Sequence, residues 1–157
     1  MNECKGFRSA LYTIDTGQND LAESFFYLPQ AQVIQRIPSF IAEIKAAILS
    51  LHQHGGKYFW VHNTGPLGCL PQKLAGNVDN HDCLKFLNDA AKAFNKQFHT
   101  LCEELRSQMR RAIIAYVDIY AIKYDLIANS AKYGSIPISI LRAANRVPTF
   151  AAEDQSS

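Results

Sequence analysis

The residues best suited to chemistry lie in a short polar segment, residues 15–21 (DTGQNDL), which follows an apolar, β-prone stretch. Gly17 can adopt a positive φ, so the chain can turn sharply there and its backbone can approach a ligand closely. The side-chain amide of Asn19 could then stabilise a developing oxyanion, and Asp20 could hold that amide or the loop in place. Gly, Asn and Asp also dominate ordinary turns, and spacing alone favours a plain turn here.

A catalytic hydroxyl needs an activating base, and no such pair is evident from spacing. His62 follows a predicted strand and is the best placed histidine, although a packed or hydrogen-bonded role is favoured for it. Asp118 also ends a predicted strand, where an aspartate is more often a helix cap. Ser9 lies inside the first predicted strand and Ser135 follows a predicted helix end, and neither has a base beside it. We therefore expect no rebuilt triad among these residues.

The cysteines and histidines do not show the spacing of a metal site. The four cysteines contain no C-x-x-C pair, which argues against a zinc ribbon or a thioredoxin-type site, and the five histidines contain no H-x-x-x-H pair. Four cysteines in 157 residues are also too sparse for a small disulfide-framework domain. We expect no metal, and we expect Cys102, inside a predicted helix, to be a buried core thiol.

The composition is that of one globular domain. The chain has 157 residues, of which 48% are hydrophobic and 19% charged, enough to bury a core. The net charge of +2 is too balanced to indicate a nucleic acid or an anionic membrane as partner. We expect no transmembrane segment, and the first residues (MNECKG) lack the apolar region of a signal peptide. As written, the sequence does not identify the cellular location of the protein, and the cytoplasm is one of the locations that it leaves open.

The elements that must position these residues alternate along the chain. Apolar, β-prone stretches predict strands at residues 7–14, 58–62 and 112–117. Apolar residues at spacings of three and four predict helices at residues 37–51 and 84–105, and a third helix is predicted at residues 120–133. The order β-α-β-α-β-α predicts parallel strands joined by right-handed crossovers, with helices covering both faces of the sheet.

The second of these helices, over residues 84–105, has the most regular apolar stripe. We expect it to face the core of an α/β layer rather than a coiled-coil partner. Asp82 is its candidate N-cap, and Gly134 is the candidate end of the third helix. From residue 135 the pattern breaks, so we expect a short strand at most, over residues 136–140, and then a loose tail.

Parallel α/β sheets bind ligands beyond the carboxyl ends of their strands. Those ends carry residues 15–20, residues 63–68 and Asp118 in this chain. We therefore expect Asn19 in a loop at the carboxyl end of the first strand, on the same edge of the sheet as Asn63 and Asp118.

The segment LYTIDTGQNDL (residues 11–21) resembles the third conserved block of plant GDSL-type esterases and lipases, of the SGNH hydrolase superfamily. The hallmark of that block is G-x-N-D, matched here by Gly17, Asn19 and Asp20. Later family segments are resembled in the same order by FWVHNTGPLGCLP (residues 59–71), by Cys83 with the helix over residues 88–95, and by YVDIYAIKYDLIANSAKYG (residues 116–134). The resemblance makes residues 1–134 a partial hydrolase domain and residues 135–157 a divergent tail.

The resemblance implies a three-layer α/β/α fold with a parallel sheet, flavodoxin-like and here incomplete. It implies hydrolysis of small-molecule or lipid esters, or of acylated carbohydrates, by a serine nucleophile without a cofactor. By that match Asn19 is the inherited oxyanion donor, supported by Gly17 and Asp20. The family is secreted, and the resemblance suggests a disulfide between Cys69 and Cys83, worth roughly 3 kcal/mol. Two reduced thiols are the alternative in the cytosol.

The sequence departs from the family in its catalytic blocks. The family nucleophile lies in a Gly-Asp-Ser block and its base in an Asp-x-x-His block, and neither motif occurs in this chain. We therefore interpret the chain as the central part of a GDSL-type ester hydrolase. The alternative is a catalytically inactive truncated or spliced product that retains the scaffold and Asn19. In either case we expect open sheet edges and self-association.

Overall fold

The sheet at the centre of the fold is parallel, as the alternation of strands and helices predicts. The computed structural model describes residues 5–70 and 83–134. In this part of the chain the strands are β1 (Leu11–Asp15), β2 (Tyr58–His62) and β3 (Ile113–Val117), in the order β1-β2-β3. Asp15 pairs with His62, and His62 pairs with Val117. All three strands therefore end at one edge of the sheet, the carboxyl edge.

Helices connect and flank these strands. In the described residues they are α1 (Lys5–Ser9), α2 (Gln18–Tyr27), α3 (Gln30–Gln53), α4 (Lys85–Gln108) and α5 (Ile119–Ala128). Short 3-10 helices lie at Leu67–Cys69 and Ser130–Tyr133. The two long helices, α3 and α4, pack against each other and against the sheet. Within residues 5–70 and 83–134, no helix combines the length and the apolar character needed to cross a membrane.

The first strand is shorter than the sequence predicts. Residues 5–9 form helix α1, so Ser9 lies before the strand, and β1 begins only at Leu11. The reason is the length of the neighbouring strand, because β2 has five residues and each pairs with one residue of β1. Phe7 instead folds back, where its ring contacts Tyr12 and its carbonyl accepts a hydrogen bond of 2.8 Å from the Tyr12 hydroxyl.

Helix α2 is absent from the sequence-based prediction, and it corrects the expected position of Asn19. Asn19 lies in the first turn of α2 and not in a loop. Gly17 turns the chain at φ 102°, so the helix can begin at Gln18, directly after the carboxyl end of β1. Only Leu21 and Ser24 of this helix are fully buried. The sequence carries a short signal for this helix, because Leu21, Phe25 and Leu28 are spaced by four and three and pack against the core.

The three predicted helices are present, with shifted ends. Helix α3 begins at Gln30, continues through Pro38 and ends before Gly55, which has φ 101°. Helix α5 ends at Ala128, and the last predicted turn is the 3-10 helix that precedes Gly134. The N-cap position of α4 is occupied by Leu84; the expected cap Asp82 lies outside the described residues, as do residues 135–157.

The stripe of α4 confirms that this helix faces the core. All seven apolar positions of the predicted stripe are buried: Leu84, Leu87, Ala91, Phe94, Phe98, Leu101 and Leu105. They pack with the buried residues of α3 and with Phe59, Val61 and Ile114 from the sheet. A coiled-coil partner is therefore not needed to bury this stripe.

The described helices cover one face of the sheet, whereas the alternation of strands and helices predicts that both faces are covered. Right-handed crossovers that run in one direction across a sheet place their helices on the same face. The order β1-β2-β3 is such a progression, so α3 and α4 lie together on one side. The opposite face, which we call the open face, carries exposed apolar side chains: Leu11 (60% exposed), Tyr58 (42%), Trp60 (42%) and Ile113 (62%).

Candidate functional site

The turn after β1 is set by Gly17. Its φ of 102° lies in the region that favours glycine, and a Cβ built on it would lie 2.4 Å from Cζ of Phe94 on α4. Glycine is therefore required twice, for the turn and for the close approach of α4. The turn directs the start of α2 to the carboxyl edge of the sheet.

Asn19 and Asp20 lie in the first turn of α2, and both are exposed. No side chain caps the start of this helix, so its first backbone N–H groups are available at the positive end of the helix dipole. Among the described residues, the side-chain amide of Asn19 has no hydrogen-bond partner and Asp20 does not hold it. The backbone N–H groups and this amide can together donate to an anionic oxygen.

Asn63 and Asp118 join the carboxyl ends of β2 and β3. The Asn63 amide donates to Oδ1 of Asp118 (2.8 Å), and its own oxygen accepts from the backbone N–H of Tyr120 (2.9 Å). Oδ1 of Asp118 also accepts from the backbone N–H of Ala121 (3.0 Å), so Asp118 caps α5. The interpretation of Asp118 as a helix cap is confirmed. Its contacts are those of a structural residue.

Two buried asparagines of α4 hold the segment that follows β2. Asn95 accepts from the backbone N–H of Thr64 (2.9 Å) and donates to the Thr64 carbonyl (2.8 Å), as a neighbouring strand would. About two turns earlier on the same face of α4, Asn88 accepts from the backbone N–H of Gly68 (2.8 Å). Sequence reasoning missed both residues. The signal was present, because polar side chains at core-facing positions of an apolar helix need buried partners.

The two ends of the segment between β2 and α4 are tied together. Cys69 and Cys83 form a disulfide with a Cα–Cα distance of 4.4 Å. Gly68 accepts a backbone hydrogen bond from Leu84 (2.9 Å), and a Cβ on Gly68 would lie 2.1 Å from the Leu84 carbonyl oxygen. These contacts fix the start of α4 against the carboxyl edge.

His62 is packed and hydrogen-bonded, as the sequence analysis favoured. Its Nε2 accepts a hydrogen bond from the indole N–H of Trp60, and its Nδ1 lies 3.8 Å from Oδ2 of Asp15. Nε2 is therefore hydrogen-bonded, whereas the distance from Nδ1 to Asp15 is too long for a hydrogen bond. Of the candidate hydroxyls, Ser9 lies before β1, away from the carboxyl edge, and Ser135 is outside the described residues. No cluster of three or more His, Cys, Asp or Glu suited to a metal is found in the described parts of the chain.

Comparison with known proteins gives the family of this chain. Residues 2–139 match the family model described as GDSL-like Lipase/Acylhydrolase. One GDSL esterase/lipase of Arabidopsis thaliana is 57% identical over 134 residues, which cover 82% of this chain and 36% of the relative. GDSL esterase/lipase LIP-4 of the same plant is 54% identical over 134 residues, with the same coverage.

A third GDSL esterase/lipase of Arabidopsis thaliana is 50% identical over 139 residues, which cover 83% of this chain and 38% of the relative. The chain thus spans little more than a third of the length of these curated relatives. The parallel sheet, with its G-x-N-D turn at the carboxyl edge, agrees with this similarity. The chain belongs to the GDSL-like lipase/acylhydrolase family.

Proposed function

We propose that this chain contributes the oxyanion-binding side of a carboxylic-ester hydrolase, with Asn19 as a donor to the oxyanion. The observation that carries the proposal is the exposed amide of Asn19 in the uncapped first turn of α2, at the carboxyl edge. The substrates are esters of lipids or acylated carbohydrates. Residues 1–134 form the hydrolase part, and residues 135–157 are a divergent segment.

The chemistry of this donor follows from where charge develops during ester cleavage. Attack on the ester carbonyl places a negative charge on its oxygen, and donors already aimed at that oxygen lower the barrier. The Asn19 amide and the N–H groups at the start of α2 provide such donors, and the helix dipole adds to them. Gly17 keeps these donors at the edge of the sheet, because a larger residue would collide with Phe94.

A second candidate function is that of an inactive scaffold. This sequence contains neither a Gly-Asp-Ser motif nor an Asp three residues before a His. Nε2 of His62 already accepts a hydrogen bond from the indole N–H of Trp60, which does not favour this histidine as a base. The two functions agree on the scaffold and differ on whether its residues still support hydrolysis when a nucleophile and a base are supplied.

A hybrid enzyme separates the two functions. In the 57% identical Arabidopsis GDSL esterase/lipase, the aligned 134 residues are replaced by those of this chain, and hydrolysis of a short-chain aryl ester is measured. We expect the hybrid to hydrolyse the ester and to be labelled by a serine-directed phosphonate, whereas the 157-residue chain alone does neither. A folded hybrid without turnover would favour the inactive scaffold. Labelling of the chain alone would show that it contains a reactive serine, which would contradict our proposal.

We also propose that the chain self-associates through its sheet. In the described residues, β1 and β3 each have one unpaired edge, and the open face exposes Leu11, Trp60 and Ile113. Unpaired edges beside exposed apolar side chains favour pairing with another chain. Sedimentation velocity of the purified chain tests this proposal.

A further inference from the structure

A cleft of about 280 Å³ lies beside the carboxyl edge of the sheet. We call it the α5 cleft. Its surface is almost entirely apolar, and the side chains responsible come from the segment after β2 and from α5: Pro66, Leu70, Leu126 and Ile127. Gln18, which directly precedes Asn19, also lines it. The cleft therefore adjoins the candidate oxyanion donor.

The polar groups of the α5 cleft meet at Gly65. A Cβ built on Gly65 would lie 3.2 Å from Cδ and 3.6 Å from Nζ of Lys123, and 3.9 Å from Oε1 of Gln18. The ammonium group of Lys123 has no carboxylate within ion-pair distance among the described residues. One side of the apolar cleft therefore has an unpaired positive charge, which lies beside the backbone of Gly65.

We infer that the α5 cleft binds the alkyl chain of an aliphatic acyl group, with Lys123 attracting the carboxylate of the corresponding fatty acid. The inference rests on the proposed function, because it assigns the acyl side of the ester substrate. Apolar walls with an unpaired ammonium at one side suit an amphipathic carboxylate. A volume of about 280 Å³ lies just below the usual range of ligand cavities, which favours a short or medium chain over a whole lipid.

Chain length provides the first test. The purified chain is titrated with hexanoate, octanoate, decanoate and dodecanoate by isothermal titration calorimetry. We expect the affinity to rise about fourfold for each added CH2 group while the cleft fills, and then to level off. An affinity that does not depend on chain length would contradict the inference.

A matched pair of variants on α5 locates the binding site. Leu126 lines the cleft and is 41% exposed, whereas Ile122, one turn earlier, is 52% exposed and does not line it. Because both side chains are exposed, we expect a charge at either position to leave the core intact. We expect Leu126→Asp to weaken decanoate binding at least about tenfold and Ile122→Asp to leave it unchanged. Equal binding by the two variants would overturn the inference.

The role of Lys123 is tested with a charged and a neutral probe. We expect Lys123→Met to weaken decanoate binding about two- to fivefold, because an exposed ion pair contributes little, and to leave decanol binding unchanged. Lys57→Met, an exposed lysine before β2, is the control and should change neither. Loss of decanol affinity in Lys123→Met would contradict an electrostatic role.

Binding to the open face gives a different pattern. Trp60 is the single tryptophan of the chain and lies on the open face, so adsorption there would change its fluorescence. We expect decanoate to leave the Trp60 emission unchanged, and a change with undiminished binding by Leu126→Asp would overturn the inference. The titrations need no turnover. Their failure is therefore distinguishable from failure of the proposed function, which is measured by hydrolysis in the hybrid enzyme.

Discussion

The side-chain amide of Asn63 donates a hydrogen bond of 2.8 Å to Oδ1 of Asp118, 55 residues later in the chain. Asn63 is 3% exposed, and its oxygen accepts the backbone N–H of Tyr120. This pair fixes the ends of β2 and β3 relative to each other and to the start of α5. It therefore stabilises the edge of the sheet on which the candidate site lies.

Removal of this contact should be measurable as a loss of stability. We expect Asn63→Ala to lower the free energy of unfolding by about 1–3 kcal/mol, because the Tyr120 N–H loses its partner. Asp118→Ala should cost about 1 kcal/mol as the loss of a helix cap. Urea unfolding of both variants and of the double variant measures the coupling. Strictly additive losses would show that the hydrogen bond contributes nothing.

Gly17 and Gly134 provide a matched pair for the turn before Asn19. Both have a positive φ, 102° and 68°, but only Gly17 faces a neighbour, Phe94, at a distance too short for a Cβ. We expect Gly134→Ala to cost about 1 kcal/mol from backbone strain alone. Gly17→Ala should cost about 2–5 kcal/mol, because overpacking adds to the strain.

Thermal unfolding of the two alanine variants checks this prediction. If Gly17→Ala does not fold, Phe94→Leu in the same chain should restore folding by removing the ring. Equal losses for Gly17→Ala and Gly134→Ala would contradict the close approach of α4 to the turn.

Cys102 should make stability depend on pH at alkaline values. Burial raises the pKa of this thiol from 9.0 to about 11, with smaller effects of Arg106 and Glu103. Because the folded-state pKa is the higher one, this contribution is fully present below pH 9 and is lost as the pH rises to about 11. We expect the stability difference between the wild type and Cys102→Ala to fall over that window in urea unfolding. A constant difference would contradict the shift.

The open face should drive self-association. We expect the wild type to associate in sedimentation velocity and Ile113→Lys to shift it toward the monomer. Ile122→Lys is the matched control, because Ile122 is similarly exposed but lies on α5. A monomeric wild type with a cooperative melt would show that the exposed residues of the open face do not associate.

The sequence predicts most where a pattern extends over many residues. The stripe of α4 and the apolar run of β2 are long or strongly β-prone, and both elements form as expected. The sequence predicts the first strand too long, because the composition of one strand does not show how many residues its neighbour can pair with. The neighbouring strand β2 has only five residues to pair with β1. The alternation of strands and helices predicts that helices cover both faces of the sheet. The order of the strands decides which face each helix covers, and the sequence does not show that order.

The candidate site was predicted by residue type and not by geometry. The G-x-N-D motif gave Asn19, but its place in the first turn of α2 depends on the turn at Gly17 and its contact with Phe94. The pairing of Asn95 with Thr64 could not be predicted either, because the two residues meet only after α4 packs on the sheet. The α5 cleft likewise depends on packing of distant segments.

The most direct measurement is the hydrolysis rate of the hybrid enzyme carrying Asn19→Ala. We expect kcat to fall about 10²- to 10³-fold with little change in KM, because an oxyanion donor acts mainly in the transition state. Gln32→Ala removes an exposed amide from the first turn of α3 and should leave the rate unchanged. A kcat for Asn19→Ala equal to that of the Gln32→Ala control would contradict the role of Asn19 as an oxyanion donor.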